Sequence, residues 1–558
     1  MRRIAAVILL LCLLAGTAGG IQIVEFCPDP YQPGDPDEYL VLEGTGILDG
    51  YVLSDGEGGY RFPPGTRIDG RLTVARSGPA FEQSHGYLPD FEIEERTPAV
   101  PDVIPNGNLL MANRADELLL YRGTTLVQQI AWPGDVCARE GQIHYFEDGA
   151  WDPRPLSIGQ SRLKPQTFEG VAVTAFVAPD CSYEIFSAAV AEAEREILVN
   201  VYEFTDEKMA NDLICALDRG VAVTVLLEGG PVGGVSPEGR AVAGALNRSG
   251  IPVLSMTTTD AGHAKYRYDH AKYLVIDGST VLLGSENFKP GGYPAAGLQG
   301  NRGWGVLLKD PELTAYFREV FLFDAAGGDI VPLGGTAAEL YTPWAPDYTV
   351  EFAPCHAEGA RVTPVVSPDT SVLILGLIEG AEESIAIEQA YITNETPCDF
   401  NPYLAAAIDA SRRGVAVRVL LDAAWFNTEG DADNDEMAAI INRLAAAEGL
   451  PLEARLADLE ANNLDKIHNK GVIVDGTKVL VSSINWNANS PAFNREAGVI
   501  VEHPDIAVYY LAVFEDDWDA SDRSKASSAP ETDRLKIAAA ACILAALAGL
   551  YLYRRRRT

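Results

Sequence analysis

His270-Ala-Lys272, four residues, Asp277, six residues, Gly284-Ser285-x-Asn287: this frame recurs as His468-Asn-Lys470, four residues, Asp475, six residues, Ser482-Ser483-x-Asn485. Only seven of the 558 residues are histidine, so two in matching settings carry weight. Inside each frame an apolar run, Tyr273 to Ile276 or Gly471 to Val474, meets Asp277-Gly278 or Asp475-Gly476. A second apolar run follows, Val281 to Leu283 or Val479 to Val481. Short apolar runs broken by Asp-Gly read as β-hairpins. A two-residue loop at Gly278-Ser279 sets Lys272 opposite Ser285 and His270 opposite Asn287. The same register sets Lys470 beside Ser483 and His468 beside Asn485. His and Lys two apart share one face of a strand.

An imidazole, an ammonium, a hydroxyl and an amide on one face suit a phosphodiester. Lys272, Lys470, Ser285, Ser483, Asn287 and Asn485 would hold the non-bridging oxygens, where charge gathers in the transition state. Two facing histidines, His270 and His468, divide the remaining work. One attacks phosphorus; the other protonates the leaving oxygen and then activates water. The scheme needs no metal and no cofactor, and His-x-Lys is a poor zinc pattern because a protonated ammonium does not coordinate. His263-Ala-Lys265 lacks the rest of the frame: Asp269 comes one residue early and no Gly-Ser-x-Asn follows. It reads as a chance pairing.

With these residues the chain resembles the phospholipase D superfamily, whose HxKxxxxD motif followed by GSxN occurs in duplicate. The match extends upstream. Glu196 to Thr205 aligns with Ser384 to Thr393, and Arg219 to Glu228 aligns with Arg413 to Asp422. Each half then reads strand, helix, strand, helix, motif hairpin, an α/β unit. The resemblance covers roughly residues 176–520 and implies a pseudo-twofold sandwich with the active site between halves. It also implies a phosphohistidine intermediate, with His270 as nucleophile and His468 as general acid/base. Asp277 and Asp475 belong to the motif as structural residues. Family members carry an acidic residue downstream of each motif that bonds the histidine. Glu496 supplies it in the second half, where it is expected to orient His468. In the first half Gly303 stands in that place, which leaves His270 to be oriented by a backbone carbonyl or by a group from elsewhere.

The two ends differ from the body. Met1-Arg2-Arg3, an apolar run from Ile4 to Ala15 and small residues through Gly20 read as a signal peptide, residues 1–20. Residues 537–553 form an apolar run just long enough to span a bilayer, followed by four arginines that the positive-inside rule places in the cytoplasm. Together they predict a single-pass cell-membrane protein with its catalytic domains extracellular, a stalk at 521–536 and a cytoplasmic basic tail at 554–558. The formal net charge of −36, from 79 acidic and 43 basic residues, repels polyanions and counts against a dedicated nucleic-acid binder. Lys265, Arg267, Lys272, Lys289 and Arg302 nevertheless gather around the first motif, to bind anions or to pair with neighbouring acids. The cysteines are too sparse for a disulfide framework. A Cys27–Cys137 bridge is one option, and Cys215 reads as buried in a helix.

Residues 21–165 are rich in Gly and Pro, with short strands at sandwich-like spacing. They resemble the lamin tail domain, an immunoglobulin-like sandwich, through Glu38-Tyr39, Leu48 to Tyr51, Leu53 to Asp55 and Ala112 to Leu118. His85 and His144 are isolated and read as structural. The fold class expected is thus multidomain: an N-terminal all-β sandwich, a duplicated α/β phospholipase D fold with halves at 166–335 and 336–520, and a C-terminal transmembrane helix. The function expected is phosphodiester hydrolysis or transfer outside the cell, with phospholipid favoured over nucleic acid. The membrane is a partner through the terminal helix, and the sandwich has a ligand of its own. A secreted nuclease, a cardiolipin-synthase-like phosphatidyltransferase and a catalytically degenerate anion-binding surface protein stay open; Gly303 supports the last.

Overall fold

The structure is a computed structural model and describes residues 13–14 and 20–527, apart from 95, 108, 138, 148, 339–342, 395–399 and 431–432. Its centre is a palindrome. Val-, Ile- and Leu-rich runs in each half form three parallel strands: Glu196–Val201, Ala222–Glu228 and Val253–Met256 in the first, Ser384–Gln389, Ala416–Leu421 and Leu452–Leu456 in the second. Helices link them. Glu207–Asp218 starts where the Asp206 carboxylate accepts the Met209 N–H, and the chain turns out of it at Gly220, at φ 96°. Beside each parallel set the motif hairpin pairs antiparallel, Lys272–Ile276 with Glu196–Val201 and Lys470–Val474 with Ser384–Gln389. The innermost strands, Phe168–Ala178 and Cys355–Ser367, pair with each other, so both halves form one 15-stranded sheet. Two apolar cores lie under the outer helices, one per half, and a third is shared. The shared core takes in apolar side chains of helix Pro311–Asp324 and, from Ile506 to Trp518, of helix Pro504–Ser527, one helix from each half.

Two buried arginines cross between the halves. Arg302, 1% exposed, bonds Asp517 of the second half at 2.7 Å and Asp180 of its own half at 2.8 Å. Arg495, with no exposure, bonds Asp324 of the first half at 2.9 Å and Asp369 of its own at 3.2 Å. Each guanidinium also donates to a carbonyl of its own half, Ala178 or Ser367. Charges this deep persist only when every one is paired.

Ahead of this body stand two smaller sheets. One contains Gln22–Cys27, Tyr39–Ile47 and Arg67–Ala75; the other contains Tyr51–Ser54, Arg114–Arg122 and Thr125–Cys137. They share an apolar core that includes Ile23, Leu42, Leu53 and Leu120. His144 stacks on Phe26 and His85 on Phe81, and burial pushes both imidazoles down to about 4. The linker holds the two parts together: the Ser161 hydroxyl and the Leu163 N–H donate to Asp369 at 2.6 and 2.7 Å.

Several expectations need correction. Among the described residues no helix is long and apolar enough to cross a membrane, and residues 537–553 lie outside them. The fold class therefore loses its C-terminal transmembrane helix, and the single-pass placement with extracellular catalytic domains falls with it. Most of 1–20 and all of 554–558 also lie outside the described residues, while helix Pro504–Ser527 runs into the expected stalk. Cys27 is a free buried thiol, so the Cys27–Cys137 bridge is not formed, and Cys215 is exposed rather than buried. The hairpin register is off by one, because Ile276 pairs with Thr280 and Val474 with Lys478. The loops have three residues, not two. Asp277 and Asp475 sit at φ 54° and 52°, which Asp tolerates better than most residues. Their carboxylates accept three backbone N–H groups each, from residues 194–196 and 382–384, at 2.7–3.0 Å. This fastens each hairpin to the turn before the neighbouring strand.

Removing one partner of a buried charge strands the others. Arg495→Ala is expected to cost about 3–5 kcal/mol, read as a lower midpoint in urea unfolding. Arg361→Ala, which breaks only surface pairs with Glu169 and Glu502, should leave the midpoint in place. Equal shifts from the two would contradict the buried-clamp account.

Candidate active site

The same arginines set the histidines. The His270 backbone N–H donates to the Arg495 carbonyl and the His468 N–H to the Arg302 carbonyl, both at 2.8 Å. Each motif histidine thus hangs from the clamp residue of the other half. The side chains cross as well. His270 Nδ1 lies 2.8 Å from Glu496 Oε2, and His468 Nδ1 lies 3.3 Å from Glu286 Oε1. Glu496 was expected on His468, the histidine of its own half; the crossing of the chain at Arg495 delivers it to His270 instead. The gap left by Gly303 is thereby filled for His270 from the second half. Glu496 is held by N–H and O–H donors of Asn494, Ser483 and Ser490.

Both lysines are buried, with 1% exposure for Lys272 and none for Lys470. Each ammonium donates to the carbonyl of its own histidine, at 2.7 and 2.6 Å. Burial pushes Lys272 down to about 8, against the pull of Glu496 and Glu286. Burial and the neighbouring Lys272 charge drive Lys470 well below its ordinary range. His270 is lowered by burial, partly offset by Glu496. His468 lies further down, from burial and from the charges of Lys470, Lys466, Lys272 and His270. Burial also pushes the Glu496 carboxyl up, but His270 and Lys272 outweigh it and keep it ionised. An ionised carboxylate at Nδ1 demands a proton there, which leaves Nε2 of His270 as a lone pair.

Asn287 and Asn485, each 9% exposed, have side-chain oxygens with no partner among the described residues. The serines do not join them. Ser285 and Ser483 have no exposure; Ser285 Oγ accepts the Trp304 N–H and Ser483 Oγ donates to Glu496. Both hydroxyls are thus engaged within the protein. The remaining basic residues near the first motif are engaged: Lys265 with Asp329, Lys289 with Glu203, Arg267 with Asn489. Three contributors escaped the sequence reading. Glu286 was the unspecified residue of Gly-Ser-x-Asn, and Lys466 lies two residues before His468. Tyr202 packs on His270 at 4.7 Å and lies 5.6 Å beneath the Lys272 ammonium. A carboxylate inside an otherwise neutral phosphate motif was the available signal.

The cardiolipin synthase, PLD-like domain family matches residues 186–324 and 374–518, bracketing both hairpins. The mitochondrial cardiolipin hydrolase of Xenopus tropicalis is 32% identical over 122 residues, 22% of this chain and 50% of its own. The phospholipase D of Rickettsia conorii is 30% identical over 139 residues, 25% of this chain and 58% of its own. The chain thus spans about half the length of these curated relatives. Among solved structures, phosphatidylserine synthase of Haemophilus influenzae Rd KW20 superposes with TM-score 0.46 at 13% identity, over 62% of this chain and 85% of that one.

The lowered lysine gives a pH signature. Lys272 carries its charge below about 8 and loses it above, so a site that grips an anion weakens as pH rises through that value. The alkaline limb of kcat/KM, which reports the free enzyme, is expected near 8 and should move up in Lys272→Arg. A limb that stays put in that variant would remove Lys272 from anion binding.

Proposed function

The chain belongs to the PLD-like family of cardiolipin synthase, and on that premise we propose that it cleaves or transfers phosphodiesters through a histidine-linked intermediate. His270 Nε2 attacks phosphorus and forms a P–N bond as the bond to the leaving oxygen breaks. His468 gives its Nε2 proton to that oxygen. It then takes a proton from water, or from an alcohol, whose oxygen displaces His270 from phosphorus. Lys272, Lys470, Asn287 and Asn485 hold the non-bridging oxygens. The observation that carries the assignment is the 2.8 Å bond from His270 Nδ1 to ionised Glu496, which leaves the opposite nitrogen free to attack.

Phospholipid is the favoured substrate. The net charge of −36 opposes the approach of a long polyanion, whereas a single diester needs only the local pair of lysines. Two similar proteins are a cardiolipin hydrolase and a phospholipase D, which fits this choice. The two N-terminal sheets, taken as a lamin-tail-type module, position this body or bind a further ligand.

Trapping tests the reading. With bis-p-nitrophenyl phosphate, phospholipid and DNA, each labelled at phosphorus, a base quench should recover phosphohistidine. His270→Ala should abolish the label, and His468→Ala should retain it with the nitrophenyl diester, whose leaving group needs no proton. Label at His468, or none with any substrate, overturns the proposal. Turnover of DNA above phospholipid reverses the substrate choice.

A further inference from the structure

The two halves solve one problem with different residues. Gly284 pairs with Gly305 and Ser482 with Gly498, so Glu286 corresponds to Ile484 and Gly303 to Glu496. In the second half the carboxylate grows from the strand after the hairpin and an isoleucine fills the motif position. In the first half the carboxylate has moved onto the hairpin and the following strand is bare. Both carboxylates are buried, Glu496 with no exposure and Glu286 with 5%. Both receive an N–H from the corresponding asparagine: Asn494 to Glu496 at 3.1 Å, Asn301 to Glu286 at 2.9 Å. Each faces the Nδ1 of the histidine from the other half.

The room for this arrangement is cut in glycine. A Cβ at Gly303 would lie 2.5 Å from Glu286 Cγ and 2.6 Å from its Oε1. A Cβ at Gly292 would lie 2.7 Å from Glu286 Oε2. Contacts that short do not occur, so a carboxylate cannot grow from position 303 while Glu286 is in place. Gly303 is therefore the mark of a carboxylate displaced, not of one lost.

We infer that Glu286 is the positioning residue of His468, standing in for the carboxylate missing at Gly303. It accepts the Nδ1 proton of His468 and stabilises the imidazolium that donates from Nε2, a role that rests on the acid/base part assigned to His468 above. At 3.3 Å the two atoms are not hydrogen-bonded, unlike the 2.8 Å pair, and neither finds another partner among the described residues; such contacts tighten when substrate binds. The charged groups facing this pair are Lys466, Lys470 and Lys272, with His270 beyond. A phosphodiester offsets those lysines and lets the imidazolium form.

Three variants test it. Glu286→Gln keeps shape but presents an amide N–H to Nδ1. Steady-state turnover of an alkyl phosphodiester should fall about 100-fold. The phosphohistidine burst with bis-p-nitrophenyl phosphate should persist, because the attack by His270 needs no acid there. Glu286→Ile should fall similarly, and Glu286→Ile with Gly303→Glu, which rebuilds the second-half arrangement, should recover at least about tenfold. NMR titration of the imidazoles gives a readout independent of turnover: the His468 value should drop by about one unit in Glu286→Gln, with His270 less affected. Equal loss of burst and turnover with no selective shift at His468, or wild-type turnover of the alkyl diester, overturns the inference. If the wild type forms no phosphohistidine while the His468 shift appears, the intermediate fails and the positioning role stands. Should the double variant not fold, Glu286→Gln decides alone.

Discussion

Two arginines with their guanidinium groups in the shared core hold this molecule to its arrangement. Arg302 and Arg495 each bridge an aspartate of their own half to one of the other. Desolvating such groups is costly, so the network tolerates little displacement of one half against the other. The flanking residues inherit that precision. The arginine carbonyls receive the backbone N–H groups of the opposite histidines, the residue before each arginine is the asparagine that holds a carboxylate, and the residue after it is Gly303 or Glu496. The geometry of the candidate site follows from a structural clamp.

The carboxylates of the clamp and the site already have partners of their own. These carboxylates face imidazoles or pair guanidinium groups, while among the described residues Lys272 and Lys470 donate only to histidine carbonyls. Burial presses both ammonium groups toward neutrality, and at Lys470 the Lys272 charge adds to it. An entering anion relieves that pressure, and binding is strongest where the protein has left it unrelieved.

The sequence made the duplicated α/β halves legible because apolar period, turn residues and motif spacing agreed at every step. His270, Lys272, His468 and Lys470 were legible for the same reason. What failed was what depends on φ or on chain crossing. Asp277 and Asp475 enter the left-handed region and lengthen each loop by one residue, which shifts the register of both hairpins. Nothing in the spacing of Asn494-Arg495-Glu496 reveals that this strand reaches across to His270; that is set by pairing of residues 269 and 495. Gly303 looks like a defect in sequence because the compensating carboxylate lies just past the end of strand Thr280–Gly284, 17 residues upstream. The apolar run at 537–553 suggested a membrane span from composition, and the described residues contain no such helix.

A crystal structure with tungstate in the site would test the central claim most directly, since this oxyanion imitates the phosphoryl group in flight. One tungsten atom is expected bonded to His270 Nε2, with its oxygens held by Lys272, Lys470, Asn287 and Asn485 and His468 Nε2 on the far side. Separate anions on the two hairpins, or a bond to His468 with His270 turned away, would contradict it.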